Sequence, residues 1–263
     1  MTLFATDLDN TLIHSYKTAT DKDICVETMR TSDGTNKKLS FMTPKAYNLL
    51  KQAMRSKDFT LVPITTRSLE QYRRIHLFDV FIPSYALVSN GGNLLLNGRV
   101  NEVWHERSKK LILSAIPEMK LGMNLLENDP HRSFEVRFVD DMFVFTKSEQ
   151  PMLSAKKLRQ NLNSENVSVH CNGSKVYIMP AMLTKQNAVK RLTKMFGFER
   201  VICAGDSDFD ISMLKSADIS YVPDAELLSN ISLKGEKRIW KNDSISYAEF
   251  ILDDIINKHK CLA

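Results

Sequence analysis

The sequence predicts an α/β protein: a parallel sheet carrying helices, interrupted by an α+β insert. Three observations support this. Short apolar runs alternate with helical stretches through residues 1–92, the pattern of strands joined by crossover helices. Over 93–182 that rhythm gives way to neighbouring alternating runs joined by turn residues, and from 183 to 263 the strand–helix alternation resumes.

Taken in order, Leu3-Phe4-Ala5-Thr6 is an apolar run ending abruptly in Asp7-Leu8-Asp9-Asn10-Thr11. That is the pattern of a buried strand delivering carboxylates at its carboxyl end, where ligands of open α/β sheets bind. Between 24 and 42 two polar–apolar runs flank Ser32-Asp33-Gly34-Thr35, predicting a projecting β-hairpin within the core region. Thr43-Pro44 reads as an N-cap with proline at the first helical position, and Ala46, Leu49, Leu50, Ala53 and Met54 continue at helical spacing. A strand over 59–64, a helix from about Ser68 and a strand over 85–89 follow, ending in Asn90-Gly91-Gly92. In the insert, strands are expected over 134–138 and 142–145 around Val139-Asp140-Asp141, a helix over 154–162, and strands over 167–171 and 175–179. The second half then reads as helix 184–196, strand 200–204, a loop Gly205-Asp206-Ser207-Asp208, a helix from about Phe209, strand 219–222 and a closing helix over 244–257.

Composition narrows the functional class by exclusion. With 263 residues, 43% hydrophobic and 25% charged, the chain suits one large domain or two modest ones, and neither disorder nor a fibrous repeat fits. No uncharged apolar run approaches the roughly 18–20 residues that span a bilayer, and Met1–Asp7 does not read as a signal peptide, so a cytosolic protein is expected. Cys25, Cys171, Cys203 and Cys261 lie far apart without CxxC spacing and read as reduced thiols. The net charge of +5 is spread along the chain with no basic stripe interleaved with aromatics, so no nucleic-acid partner is expected.

Asp7 and Asp9 are the first chemically suggestive pair. Two residues apart at a strand end, two carboxylates can converge on one substrate, one as nucleophile and the other as general acid and then base. A bare D-x-D, taken alone, reads more simply as a solvated Asx-rich turn after a strand.

The wider pattern resembles the haloacid dehalogenase superfamily. Asp7-Leu8-Asp9-Asn10-Thr11-Leu12 is similar to its first motif, D-x-D-G-T-L, with Asn10 for glycine, the residue type that best tolerates the left-handed backbone needed there. Thr65 in Pro63-Ile64-Thr65-Thr66-Arg67 resembles the second motif, with Thr66 departing from the T-G-R common in the Cof-type branch and Arg67 fitting it. Lys185 in Leu183-Thr184-Lys185-Gln186-Asn187 looks like the third, and Gly205-Asp206-Ser207-Asp208-Phe209-Asp210 resembles the fourth, G-D-S-x-N-D, with Phe209 in place of asparagine.

The resemblance implies a Rossmann-like core made of 1–92 and 183–263, and a C2-type α+β cap over 93–182 of the Cof-type, class IIB group. It further implies an Mg²⁺-dependent phosphatase using an aspartyl-phosphate intermediate. Asp7 would be the nucleophile and Asp9 the acid and base, with Thr65 and Lys185 binding phosphate. Asp7, the backbone carbonyl of Asp9, Asp206 and Asp210 would hold the metal, the last directly or through water. Its partner would be a small phosphate ester, most readily a sugar phosphate, and the protein a monomer or small homo-oligomer. Asn90 and Arg67 at the core edge, with Arg137, His170 and Lys175 in the cap, are candidate substrate residues, and Trp104 is either a sugar-stacking ring or a cap-core anchor. Two alternatives remain at this stage: a phosphomutase sharing all four motifs, and a non-catalytic binding or regulatory protein on the same fold.

Overall fold

The computed structural model describes residues 1–224, 227, 232–241 and 244–258. Its elements run β1 (Thr2–Thr6), β2 (His14–Ser15), β3 (Ile24–Arg30), β4 (Asn36–Met42), α1 (Pro44–Ala53), β5 (Phe59–Pro63), α2 (Leu69–Arg73), α3 (Leu77–Val80), β6 (Tyr85–Val88), β7 (Asn93–Leu96) and β8 (Arg99–Val100). Then come α4 (Glu102–Leu111), α5 (Ile116–Glu127), β9 (Arg137–Val139), β10 (Phe143–Lys147), α6 (Pro151–Asn161), β11 (Val167–Asn172) and β12 (Lys175–Pro180). The chain continues through α7 (Lys185–Phe196), β13 (Arg200–Ala204), α8 (Ile211–Ser216), β14 (Ile219–Val222), β15 (Glu236–Ile239) and α9 (Tyr247–Lys258). Two units result: Met1–Val100 with Lys185–Ala263, and Asn101–Thr184.

In the first unit β1 is central, its apolar run Leu3, Phe4 and Ala5 being fully buried on both faces of the sheet. The sheet order is β15-β14-β13-β1-β5, every pairing parallel. A further parallel bridge, Ile64 to Leu87, joins β6 beyond β5. Chain order reverses at β1, which is flanked by β5 on one side and β13 on the other, so a crevice is expected at their carboxyl ends.

Local chemistry sets the helices. The Thr43 hydroxyl accepts the Ala46 N–H at 3.1 Å, Pro44 occupies the first turn, and Ala46, Leu50 and Ala53 turn inward. Ser68 and Gln71 form a reciprocal capping box at the start of α2. α1 and α9 pack together, with Leu50, Ile251 and Ile255 joining the core that holds Phe4, Leu61, Ile202 and Tyr221.

The expected hairpin over 24–42 forms as β3 and β4, with β2 added beyond β4. Segment 93–100, which the sequence rhythm places in the insert, instead hairpins back on β6 as β7 and β8 and groups with the first unit. Its turn is tight for a reason: Gly91 has φ +85°, and a Cβ there would lie 2.2 Å from that of Ala188 in α7.

The second unit is a four-stranded antiparallel sheet, β11-β12-β10-β9, with α5 and α6 packed against it. Strand β9 starts at Arg137, later than the predicted Phe134, because the Thr146 hydroxyl caps the carbonyls of Phe134 and Glu135 and replaces the ladder there. The helices α4 and α5 are absent from the sequence expectation. Cys25, Cys171 and Cys203 are free thiols, while Cys261 lies outside the described residues. Among the described residues no helix is long and apolar enough to cross a membrane.

Candidate active site

The carboxyl ends of β1 and β13 and the start of α7 meet. Asp7 follows β1 directly, and its N–H bonds to the Ala204 carbonyl at the end of β13 at 2.9 Å. Lys185 opens α7, is only 1% exposed, and donates to Asp7 Oδ1 at 2.6 Å and to Asp210 Oδ1 at 2.5 Å. Burial works against the Lys185 charge, but Asp210 and Asp7 outweigh it and push its pKa upward, so it stays an ammonium.

Asp210 is fully used as a scaffold. Its Oδ2 accepts the N–H of Asp206 at 3.2 Å, the N–H of Ser207 at 3.0 Å and the Ser207 hydroxyl at 2.8 Å. The loop closes over it because residue 205 is glycine: a Cβ there would lie 2.4 Å from that of Asp210. Behind the loop the Tyr247 hydroxyl donates to the Gly205 carbonyl at 3.2 Å.

Asp206 is held by the buried Thr11, whose hydroxyl donates to its Oδ1 at 3.1 Å. Asn10 adds a side-chain hydrogen bond to Asp206 and takes up the left-handed backbone expected of it, φ 57°. Burial, then the charge of Asp210, raises the Asp206 pKa to about 6 despite Lys185. Burial likewise drives Asp7 well above the usual carboxylate range: Lys185 opposes this, while Asp210, Asp206 and Asp9 reinforce it. Asp7, Asp206 and Asp210 place one oxygen each within 4.8 Å of one another. Anionic oxygens crowded so closely, two of them with raised pKa, are a donor set suited to a hard divalent cation such as Mg²⁺.

Asp9 behaves differently from its neighbour. Its carboxylate accepts a two-pronged bond from Arg67, Nε to Oδ2 at 2.8 Å and Nη2 to Oδ1 at 2.7 Å. Its side chain is therefore directed to Arg67 and is not one of the three clustered carboxylates. Arg67, expected at the substrate, has its guanidinium occupied: besides Asp9, its Nη1 lies 2.8 Å from Glu27 Oε2 and its Nη2 donates to Ser40. Thr65, 1% exposed at the end of the β5 segment, accepts the Arg67 N–H on its hydroxyl at 3.1 Å. Asn90 is buried with φ 57°, and its backbone N–H bonds to the Thr65 carbonyl at 2.8 Å, so it fixes the turn that supports Thr65.

In the second unit Arg137, Phe145, Tyr177 and His170 are register partners across all four strands and so share one sheet face. Phe145 contacts Tyr177 and Phe134, and Arg137 and Lys147 lie over the Phe134 ring. Lys175 pairs with Lys147 at the end of the same face. Trp104 is buried, 3% exposed.

Ser207, Tyr247, Glu27 and Ser40 are contributors that sequence reasoning does not single out. For Ser207 a signal exists, a hydroxyl three residues before Asp210 in a turn. The others act across long sequence separations.

An open, parallel α/β sheet with an acidic crevice and a buried lysine at its switch point defines a doubly wound core with a polar site at the carboxyl edge of the sheet. A family model for haloacid dehalogenase-like hydrolases matches residues 84–222, just over half of the chain, and the chain belongs to that family. No curated protein matches it. Among solved structures it is similar to the sucrose-phosphatase from Synechocystis, in complex with sucrose and phosphate, at 18% identity, with 97% of this chain and 96% of that one covered and a TM-score of 0.65. A haloacid dehalogenase-like hydrolase from B. subtilis matches at 16% identity over all of both chains, TM-score 0.58. The trehalose-6-phosphate phosphatase of Aspergillus fumigatus matches at 13% identity over 96% of this chain and 92% of that one, TM-score 0.54. At these identities the likeness concerns the fold.

Proposed function

We propose that the protein is an Mg²⁺-dependent phosphomonoesterase acting on a small phosphorylated metabolite, a sugar phosphate, through an aspartyl-phosphate. The observation that carries this reading is Lys185 clamped between Asp7 and Asp210 beside Asp206, a nucleophile, a fixed cation and a metal-ready carboxylate set in one crevice.

Asp7 Oδ attacks phosphorus in line while the bond to the leaving oxygen breaks. Asp9, once one of its oxygens is released from Arg67 and protonated, gives that proton to the leaving oxygen. Asp9 then takes a proton from water as the water attacks the phosphorus of the aspartyl-phosphate, which releases inorganic phosphate and restores the Asp7 carboxylate. Phosphoryl transfer depends mainly on positioning and charge neutralisation. Lys185 neutralises charge on Asp7 and phosphate, and the Thr65 hydroxyl, which already accepts from Arg67, keeps its proton to donate to a phosphoryl oxygen. Asp7 and Asp206 would hold the Mg²⁺, with Asp210 shaping the loop behind them. Bound there, the cation lowers the cost of ionising these carboxylates and screens the incoming phosphate. The sugar-phosphatase relatives support the substrate class as the first to test.

The test is phosphate release from sugar phosphates, nucleotides and p-nitrophenyl phosphate, with and without Mg²⁺, beside Asp7→Asn. Release that requires both metal and Asp7 is expected, with a loss of at least about a thousandfold in the variant because the covalent route is removed. Turnover retained by pure Asp7→Asn protein would refute the mechanism.

A further inference from the structure

Glu27 is a buried carboxylate, 1% exposed, in a hairpin that the proposed reaction does not otherwise use. It points inward because of a defect in the ladder. Cys25 pairs with Phe41 and Thr28 with Lys38, but Glu27 pairs with Ser40, one step out of register. The bulge lets the consecutive residues Val26 and Glu27 both be buried, where regular alternation would send one of them outward.

What Glu27 meets there is the guanidinium that holds Asp9. Oε2 lies 2.8 Å from Arg67 Nη1 and accepts the Ser40 hydroxyl at 2.6 Å, while Oε1 lies 3.3 Å from Arg74 Nε. Ser40 Oγ in turn accepts from Arg67 Nη2 at 3.2 Å. The planar Arg67 head is thus engaged on two edges: Nε and Nη2 hydrogen-bond to Asp9, Nη2 also reaches Ser40, and Nη1 stands beside the Glu27 carboxylate as an ion pair without a directed hydrogen bond. A guanidinium held on one edge alone can swing about its last side-chain bonds and take its partner with it; a buried carboxylate and a hydroxyl on the other edge resist that swing.

We propose that Glu27 is a positioning residue, which, through Arg67, fixes the Asp9 carboxyl where it passes its proton to the leaving oxygen. This rests on the phosphomonoesterase reading and deepens it: the hairpin becomes part of the acid–base apparatus, and Arg67 orients Asp9 in place of binding substrate. The step concerned is the first half-reaction. The Asp7 Oδ–P bond forms, the P–O bond to the leaving group breaks, and that oxygen's electron pair takes a proton from Asp9, which carries it on the oxygen that one prong of Arg67 releases while the other prong keeps the carboxyl in place.

The experiment compares leaving groups in single-turnover release. A nitrophenolate departs without a proton, whereas an aliphatic alkoxide needs one, so a displaced acid slows the second and largely spares the first. Glu27→Gln is expected to widen the rate ratio of p-nitrophenyl phosphate to glycerol phosphate by roughly tenfold or more, a fraction of what a general acid supplies. Ser40→Ala keeps every charge and loses only the hydroxyl between Glu27 and Arg67; it is expected to widen the ratio by about threefold, and it serves if Glu27→Gln fails to fold. A general weakening of the fold lowers both rates together and leaves the ratio alone. Ratios within about twofold of the parent in every folded variant would overturn the proposal. A parent protein that releases neither leaving group would instead remove the phosphomonoesterase reading.

Discussion

Replacing Lys185 by Met removes the one charge that faces two buried carboxylates while keeping most of the side chain's length. The ammonium lies 2.6 Å from Asp7 and 2.5 Å from Asp210, and the three side chains are 1%, 9% and 0% exposed. At an effective dielectric of about 20 each contact has a Coulomb energy of about 6 kcal/mol. Against this stands the cost of desolvating the lysine, several kcal/mol, which the variant no longer bears. The net loss expected is therefore about 3–5 kcal/mol, the usual result of leaving a buried ion without its partner.

The loss should depend on pH in one direction. Lys185 opposes the upward shift of Asp7, so removing it raises that pKa further. Above the unfolded value the folded variant then binds more protons than the unfolded chain, and its stability falls as pH rises. The penalty relative to the parent should accordingly grow as pH rises and be greater near pH 8 than near pH 5. Urea unfolding in EDTA, followed by Trp240 fluorescence on a Trp104→Phe background, reads the first unit alone, since Trp104 belongs to the second. A penalty under about 1 kcal/mol, or one larger at pH 5 than at pH 8, would refute the argument.

Two further outcomes follow from the same crevice. Asp206 ionises at about 6 against a usual 3.8, so its anion weakens the metal-free fold as pH rises through that interval, by about 3 kcal/mol in full; Asp206→Asn should be the more stable protein in EDTA at neutral pH by thermal melting, and added Mg²⁺ should reverse the order. Gly205→Ala sets a Cβ 2.4 Å from that of Asp210, so the loop must shift; a loss of about 1–3 kcal/mol and weaker Mg²⁺ stabilisation are expected by calorimetry.

The parts of the site that sequence discloses are those that end strands. Asp7, Thr65 and Asp206 each follow a short apolar run, and a parallel sheet brings such ends to one edge whatever the intervening chain. Lys185 reaches Asp7 across 178 residues, which no local pattern states; four motifs in the right order do. The bulge at Glu27 carries no compositional mark, and Arg67 reads as a substrate residue until its three partners, Asp9, Glu27 and Ser40, are seen. Helix α4 escapes notice because only Trp104 and Ser108 of it are buried, too thin an apolar stripe to register. The 93–100 hairpin is misplaced for a simpler reason: antiparallel strands look alike in sequence whichever unit they pair with.

The pairing of β1 with β13 has a consequence for how the protein is made. Thr2 lies beside Arg200, so the strand that carries Asp7 waits for about two hundred further residues before its second neighbour exists. At ordinary ribosomal speeds of about 5–20 residues per second, that interval is roughly 10–40 s. Throughout it β1, whose Leu3, Phe4 and Ala5 are fully buried in the finished sheet, has an open edge, and by its end the intervening Asn101–Thr184 segment, whose strands pair only among themselves, has its full set of partners. The nascent chain is thus most exposed to aggregation, and to chaperone capture, with its second unit complete and its active site half built.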